Sequence, residues 1–160
     1  MAALTSPALA QSSGTATATG SATIVQAITI SSTANLGFGS IVKPSTGANT
    51  ITVSSAGSRT VSGGGNAVVA NTAGVSAAAF LVKGEGGSAI SVSVPPTFSM
   101  TAGTNTLVVT TTSTTTAGNL TGGIGTQGSF TVGVGGWFPL ASTTASGAYS
   151  GNLVVTAQYN

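Results

Sequence analysis

Four side chains in this 160-residue chain carry a charge: Lys43, Arg59, Lys83 and Glu85. The chain has no His and no Cys, and with Glu85 as its one acid it has no Asp. Chemistry at neutral pH needs a proton carrier, an activated nucleophile or a metal. Ser-His-Asp, Cys-His and paired-carboxylate arrangements are therefore absent by composition. A metal site of His, Cys or several carboxylates is absent on the same ground. A hydroxyl activated by Lys is the one nucleophilic arrangement left. Lys43 precedes Pro44, and Lys83 stands two residues from Glu85 in FLVKGEGG. On a strand that spacing puts Lys83 and Glu85 on one face. It reads as a surface ion pair at a turn, worth at most ~1 kcal/mol. The Gly-rich stretches SGGGNA and GGSAI are not followed by a helical pattern, so neither reads as a phosphate loop. The expectation is a protein that is not an enzyme, with no catalytic residues, no metal and no cofactor.

The same inventory limits the partners. The net charge is +2, and three scattered cations do not neutralise a run of phosphates, so nucleic acid is not an expected ligand. They form no polybasic patch for an anionic membrane either. No run approaches the ~18 apolar residues of a membrane helix, so no transmembrane segment is expected. The opening MAALTSPALA ends in Ala8-Leu9-Ala10, the small-residue pattern at which signal peptidases cut. Residues 1–10 are read as a signal-peptide remnant and Gln11 as the start of the mature chain, which makes this an exported protein.

The elements that would position these residues are strands. Ala, Val, Thr, Ser and Gly dominate, and the apolar ones recur at period two. Branched β-carbons suit a pleated surface, and Gly marks the turns. Strand-length segments follow one another: TIVQAITI, NLGFGSIV, NTITVSS, RTVSG, NAVVAN, AAAFLVKG, AISVSVP, NTLVVTTT and GSFTVGVGGWFPL. VSAAAFLV has helical propensity, but Gly74 and Gly84 flank it and Phe80 and Val82 alternate, which favours strand. The expected fold is all-β, an immunoglobulin-like sandwich. Trp137, Phe138, Phe130, Phe80, Phe98 and Phe38 are expected to bulk out its core. Thr110 to Gly123 reads as a long exposed connection.

The two ends complement each other. In GAYSGNLVVTAQYN, residues Tyr149, Gly151, Leu153, Val155, Ala157 and Tyr159 share one face. Such a strand belongs inside a sheet, yet nothing follows to pair its second edge, and an exposed apolar edge is a pairing hazard. Near the start, SSGTATATGSA puts Ala16, Ala18, Gly20 and Ala22 on one side and Thr15, Thr17 and Thr19 on the other. Residues 11–22 are read as a donor strand that enters a groove beside Gly147, Tyr149, Gly151, Leu153, Val155 and Tyr159 of the next copy, with residues 23–160 forming the domain. Main-chain hydrogen bonds would hold the donor, and Gly20, without a Cβ, would pass a constriction. Such a contact is head to tail and propagates as a fibre.

The terminal pattern resembles that of chaperone–usher pilus subunits, which carry a Gly fourteen residues from the end and a penultimate Tyr, here Gly147 and Tyr159. That resemblance implies a periplasmic chaperone bound to the terminal strand, an outer-membrane usher, and assembly of identical subunits on a Gram-negative cell surface. The chain departs from many such pilins in lacking a disulfide and in the small size of its donor residues. A second resemblance spans nearly the whole mature chain. Leu36, Phe38, Gly39, Ser40 and Ile41, then Gly84 and Glu85, then Gly147, Tyr149, Ser150 and Gly151, look like the motifs of an exported bacterial family known only as a domain of unknown function. It implies a secreted, fimbria-like protein and lends no activity.

The expected function is a structural pilus subunit with a role in cell adhesion. The alternative is a monomeric secreted module that recognises carbohydrate or protein. With so few charges to screen, any assembly of this chain is expected to respond weakly to salt. Light scattering of assembled material from roughly 0.01 M to roughly 1 M salt should stay level; dissolution across that range would contradict it.

Overall fold

The computed structural model describes Met1 and residues 12–160. The segment read as a leader falls, apart from Met1, outside the described residues. No helix occurs among them. Fourteen strands follow in order: β1 (Thr29–Ala34), β2 (Gly37–Phe38), β3 (Ile41–Val42), β4 (Ala48–Val53), β5 (Arg59–Ser62), β6 (Val68–Val69), β7 (Val75–Ser76), β8 (Ala78–Glu85), β9 (Ala89–Ser93), β10 (Thr97–Ala102), β11 (Asn105–Ser113), β12 (Ala117–Asn119), β13 (Gln127–Ala141) and β14 (Thr156–Tyr159).

The long strand β13 organises the larger sheet. Val134 pairs with Ala78 on one edge and Ser113 on the other. Gly136 and Trp137 pair with β4 on one edge and β11 on the other. So β8 and β4 share one edge of β13 in tandem, and β11 occupies the opposite edge. β1 extends the sheet beyond β8, β5 beyond β4, and β10 beyond β11. A smaller sheet runs β12-β9-β14, and two short ribbons pair β2 with β7 and β3 with β6. The β10–β11 connection is a two-residue loop, Gly103-Thr104, between the paired Ala102 and Asn105. Gly103 has φ +60° and Thr104 does not have a positive φ, as a type II′ hairpin turn requires.

Period-two patterning places the core. Phe80, Val82, Val132 and Val134 of the larger sheet pack with Ile90 and Val92 of the smaller and with Leu120 and Val155, which directly flank its other two strands, so the fold is a β-sandwich. A second core gathers Ile51, Val53, Val109, Phe138 and Leu140 with Phe38. Phe38 and Phe138 meet edge to face with centroids 4.9 Å apart. Three polar side chains brace the loops. Asn49, buried, donates from Nδ2 to the carbonyls of Ser62 and Gly65 and accepts from the Ala67 amide. Arg59 donates to the carbonyls of Phe38 and Ser40 and to that of Asn71. Lys43 Nζ donates to the Thr144 carbonyl at 3.1 Å.

Several expectations change. Trp137 is not core: it lies out of phase with its buried neighbours Phe138 and Gly136 and faces outward. Thr110 to Gly123 is no exposed connection. β11 runs through Ser113, β12 follows, and Leu120 is buried in the first core. A run of Thr is as much strand as spacer when its neighbours supply a ladder. TIVQAITI begins its strand only at Thr29, with Ile28 and Ile30 packed on the first core and Ile24 fully outside it. β10, starting right after Pro95-Pro96, was hidden by the prolines.

Ile51 has no exposed surface. Ile51→Ala should cost ~2–5 kcal/mol in denaturant unfolding, whereas Ser93→Ala on the exposed end of β9 should stay within ~0.5 kcal/mol.

Candidate functional site

The last segment of the chain follows one partner through both sheets. Tyr159 pairs with Ile90 and Thr156 with Ser93 in the smaller sheet, and Ser150 pairs with Thr101 beside the larger one. The partner, residues 90–101, passes from β9 to β10 through Pro95-Pro96, and residues 150–159 turn with it. Thr101 and Ser150 exchange both backbone hydrogen bonds, at 2.8 and 3.0 Å. Among the described residues no strand pairs with the other edge of this segment.

The residues expected to line a groove here divide into two groups. Leu153, Val155 and Tyr159, with Ala157, turn inward onto the first core. Gly147 and Tyr149 instead border an open cleft of ≈ 590 Å³ that lies over the second core. One wall is the segment from Leu36 to Ile41, and the other is Thr144 to Tyr149. Met100, Leu107, Phe138 and Leu140 lie between them. Met100 and Leu107 are only half-buried, so the second core is incompletely covered here, whereas the smaller sheet covers the first. Lys43 also lines the cleft and, through its bond to Thr144, ties one wall to the other. Tyr149 is held by its hydroxyl, which donates to the Ala145 carbonyl at 2.9 Å. Gly151 is a close-approach position: a Cβ there would collide with the Ser99 carbonyl.

Residues 12–25 form an arm outside the sandwich. All are exposed and none lies in a strand, Ala16, Ala18, Gly20 and Ala22 included. Ile24 is 91% exposed, and no atom lies within 4 Å of where a Cβ on Gly20 would stand. The arm is rooted at Gln26 by a small polar clamp. The Gln26 amide donates to Glu85 Oε2 at 3.0 Å, and the Gln26 carbonyl accepts from the Tyr159 hydroxyl at 2.8 Å. That hydroxyl in turn accepts from the Glu85 amide at 2.6 Å, and Glu85 Oε1 accepts from the Gly125 amide. Gly84 makes room, since a Cβ there would collide with the same hydroxyl.

Glu85 is 1% exposed, which overturns the surface ion pair with Lys83. Lys83 points to solvent, while the carboxylate turns inward to backbone N–H donors. Charge-assisted bonds of this kind offset the desolvation of a buried carboxylate. Spacing alone put both residues on one face; burial of one and not the other comes from the loop at Gly123 to Thr126 closing over Glu85, which period two does not encode. The clamp is what sequence reasoning missed, although an isolated acid in a chain almost without charge was its signal.

The described residues thus present an apolar cleft lined by large side chains, a terminal edge that no described strand pairs, and an extended arm mostly of small residues.

Tyr159→Phe removes one donor and one acceptor from the clamp. Unfolding should become easier by ~1–3 kcal/mol, and hydrogen exchange at Gln26 and Glu85 should speed up while that at Val132 does not.

No curated protein and no solved structure matches this chain significantly. Residues 28–159 match a family described as a domain of unknown function, DUF4402. The match starts two residues after the clamped Gln26, takes in both sheets and ends at Tyr159, so the sandwich is the family's domain and the chain belongs to the DUF4402 family.

Proposed function

We propose that this chain is a structural subunit of an extracellular filament that polymerises head to tail by donor-strand complementation. The observation that supports the reading is an exposed arm and an open apolar cleft in one molecule. That molecule has an exposed arm of period-two small residues, an apolar cleft over the second core, and a terminal segment that runs on from the cleft wall with one edge no described strand pairs. Residues 12–22 of one copy are the occupant of the cleft of the next. Residues 12–25 reach roughly 45–50 Å when extended, enough to cross to a neighbour. Small donor residues suit the site, because a half-covered core needs a thin strip of apolar surface and backbone pairing supplies the rest.

The rest of the reading follows the pilus-subunit resemblance. A periplasmic chaperone occupies the cleft and the terminal strand before assembly, an outer-membrane usher exports the subunit, and the filament stands on a Gram-negative cell surface with a role in adhesion. The chain performs no catalysis; the composition, without His, Cys or Asp, supports that.

Deletion of residues 12–22 should leave a folded monomer, judged by its circular dichroism melt, that forms no fibres in negative-stain micrographs of conditions where the full chain does. Fibres from the deletion variant, or none from the full chain, would refute the proposal. Contact can be read directly because the chain has no Cys. Copies carrying Ala18→Cys mixed with copies carrying Met100→Cys should yield covalent heterodimers on oxidation, whereas Thr60→Cys in place of Met100→Cys should not.

A further inference from the structure

The outer face of the larger sheet, on the side of β13 away from its buried residues, carries the second arrangement that could bind. Trp137 stands there, 37% exposed. Its cross-strand partners are Thr52 on β4 and Thr110 on β11. The same register continues to Thr60 on β5 and Thr97 on β10. One row across five strands therefore reads Thr60, Thr52, Trp137, Thr110, Thr97. Alternation puts all five on one face, with the buried Ile51, Val53, Val109 and Phe138 on the other.

Charge is missing from this row, and each charged side chain is accounted for elsewhere. Arg59 is committed to backbone carbonyls, Lys43 to Thr144, and Glu85 to the clamp. Lys83 is exposed but pairs with Ser129, in the half of β13 away from Trp137. A surface that offers an indole between hydroxyls and no charge complements a neutral ligand that has both C–H faces and hydroxyl groups. An anionic polymer would find no cation here.

We propose that this face binds neutral polysaccharide. A pyranose ring stacks on the Trp137 indole, and the hydroxyls of Thr52 and Thr110, about one strand spacing (~5 Å) to either side, exchange hydrogen bonds with the sugar hydroxyls. Each Thr hydroxyl both donates and accepts, as does each sugar hydroxyl, so the match does not depend on protonation. The indole supplies apolar area with few rotatable bonds to immobilise. The row is no flat Thr array for a crystalline surface, because an indole interrupts the hydroxyls at its centre. The inference is independent of the filament reading: the row lies on the outer face of the sheet, and the cleft lies over the core on its inner face.

Trp137 is the one Trp of the chain, so its fluorescence reports this site alone. The full chain is titrated with cellohexaose, with chitohexaose and with an oligogalacturonate as the anionic control. Retention on amorphous cellulose and on chitin is measured in parallel. A saturable spectral shift with at least one neutral hexasaccharide is expected, unchanged by salt and absent with the oligogalacturonate. Trp137→Ala should weaken retention by roughly tenfold or more, and Thr52→Val by several-fold, with melting temperatures close to the parent's. Silence towards both neutral sugars overturns the proposal, as does equal retention of Trp137→Ala. A shift that tracks protein concentration rather than sugar would assign the face to contacts between copies and overturn it too.

Discussion

The fold depends on one ribbon: residues 90–101 and residues 150–159 run antiparallel from the smaller sheet to the edge of the larger. It links an edge of the smaller sheet to the edge of the larger. In the smaller sheet the terminal strand is one of three, and it contributes Val155, Ala157 and Tyr159 to the first core. Beside the larger sheet, Ser150 fixes where residues 144–149 lie, and those form a wall of the cleft. The two prolines matter because they remove ladder donors where the partner leaves one sheet for the other. A strand bent in this way belongs to both sheets and leaves a long edge that nothing in the described chain pairs.

Charge in this molecule is used to tie backbone together. Arg59 joins β5 to the carbonyls around β2, Lys43 bridges the walls of the cleft, and Glu85 caps the amides of Gln26 and Gly125. A core of Val, Ala and Ile with few large residues gains less from apolar burial per strand than an aromatic-rich one. Loops are then held by a small number of bonds to charged groups, worth about 1.5–3 kcal/mol each where the group is buried, as Glu85 is. Lys83, the charged side chain without a bond of this sort among those described, points to water.

How much of this was legible follows from what period two encodes. Alternation tells which residues share a face, so the all-β class, β8, β9, β11 and β13 and the inward set Leu153, Val155 and Tyr159 follow from it. It does not tell which face is the core. Trp137 shows the difference: its size argued for the interior, but its phase sets it opposite Phe138. It also does not tell where a strand changes sheets. The alternation from Tyr149 to Tyr159 reads as one straight strand, yet Gly147 and Tyr149 border the cleft over the second core while Leu153 and Val155 face the first. The Glu85 clamp depends on contacts between residues 26, 85, 125 and 159, a separation in sequence that no local pattern carries.

The geometry of the clamp bears on whose arm a cleft would take. Gln26 lies against Tyr159, at one end of the terminal segment, and the cleft borders Tyr149 at the other. An arm folded back along its own domain would run from residue 12 near Tyr149 to residue 25 near Tyr159. It would then lie parallel to the strand it joins. Parallel ladders have slanted hydrogen bonds and are slightly less stable per residue. An arm arriving from a second copy carries no such restriction and can enter antiparallel. The clamp thus penalises self-insertion without blocking it, since a chain held at Gln26 cannot reverse direction at its root.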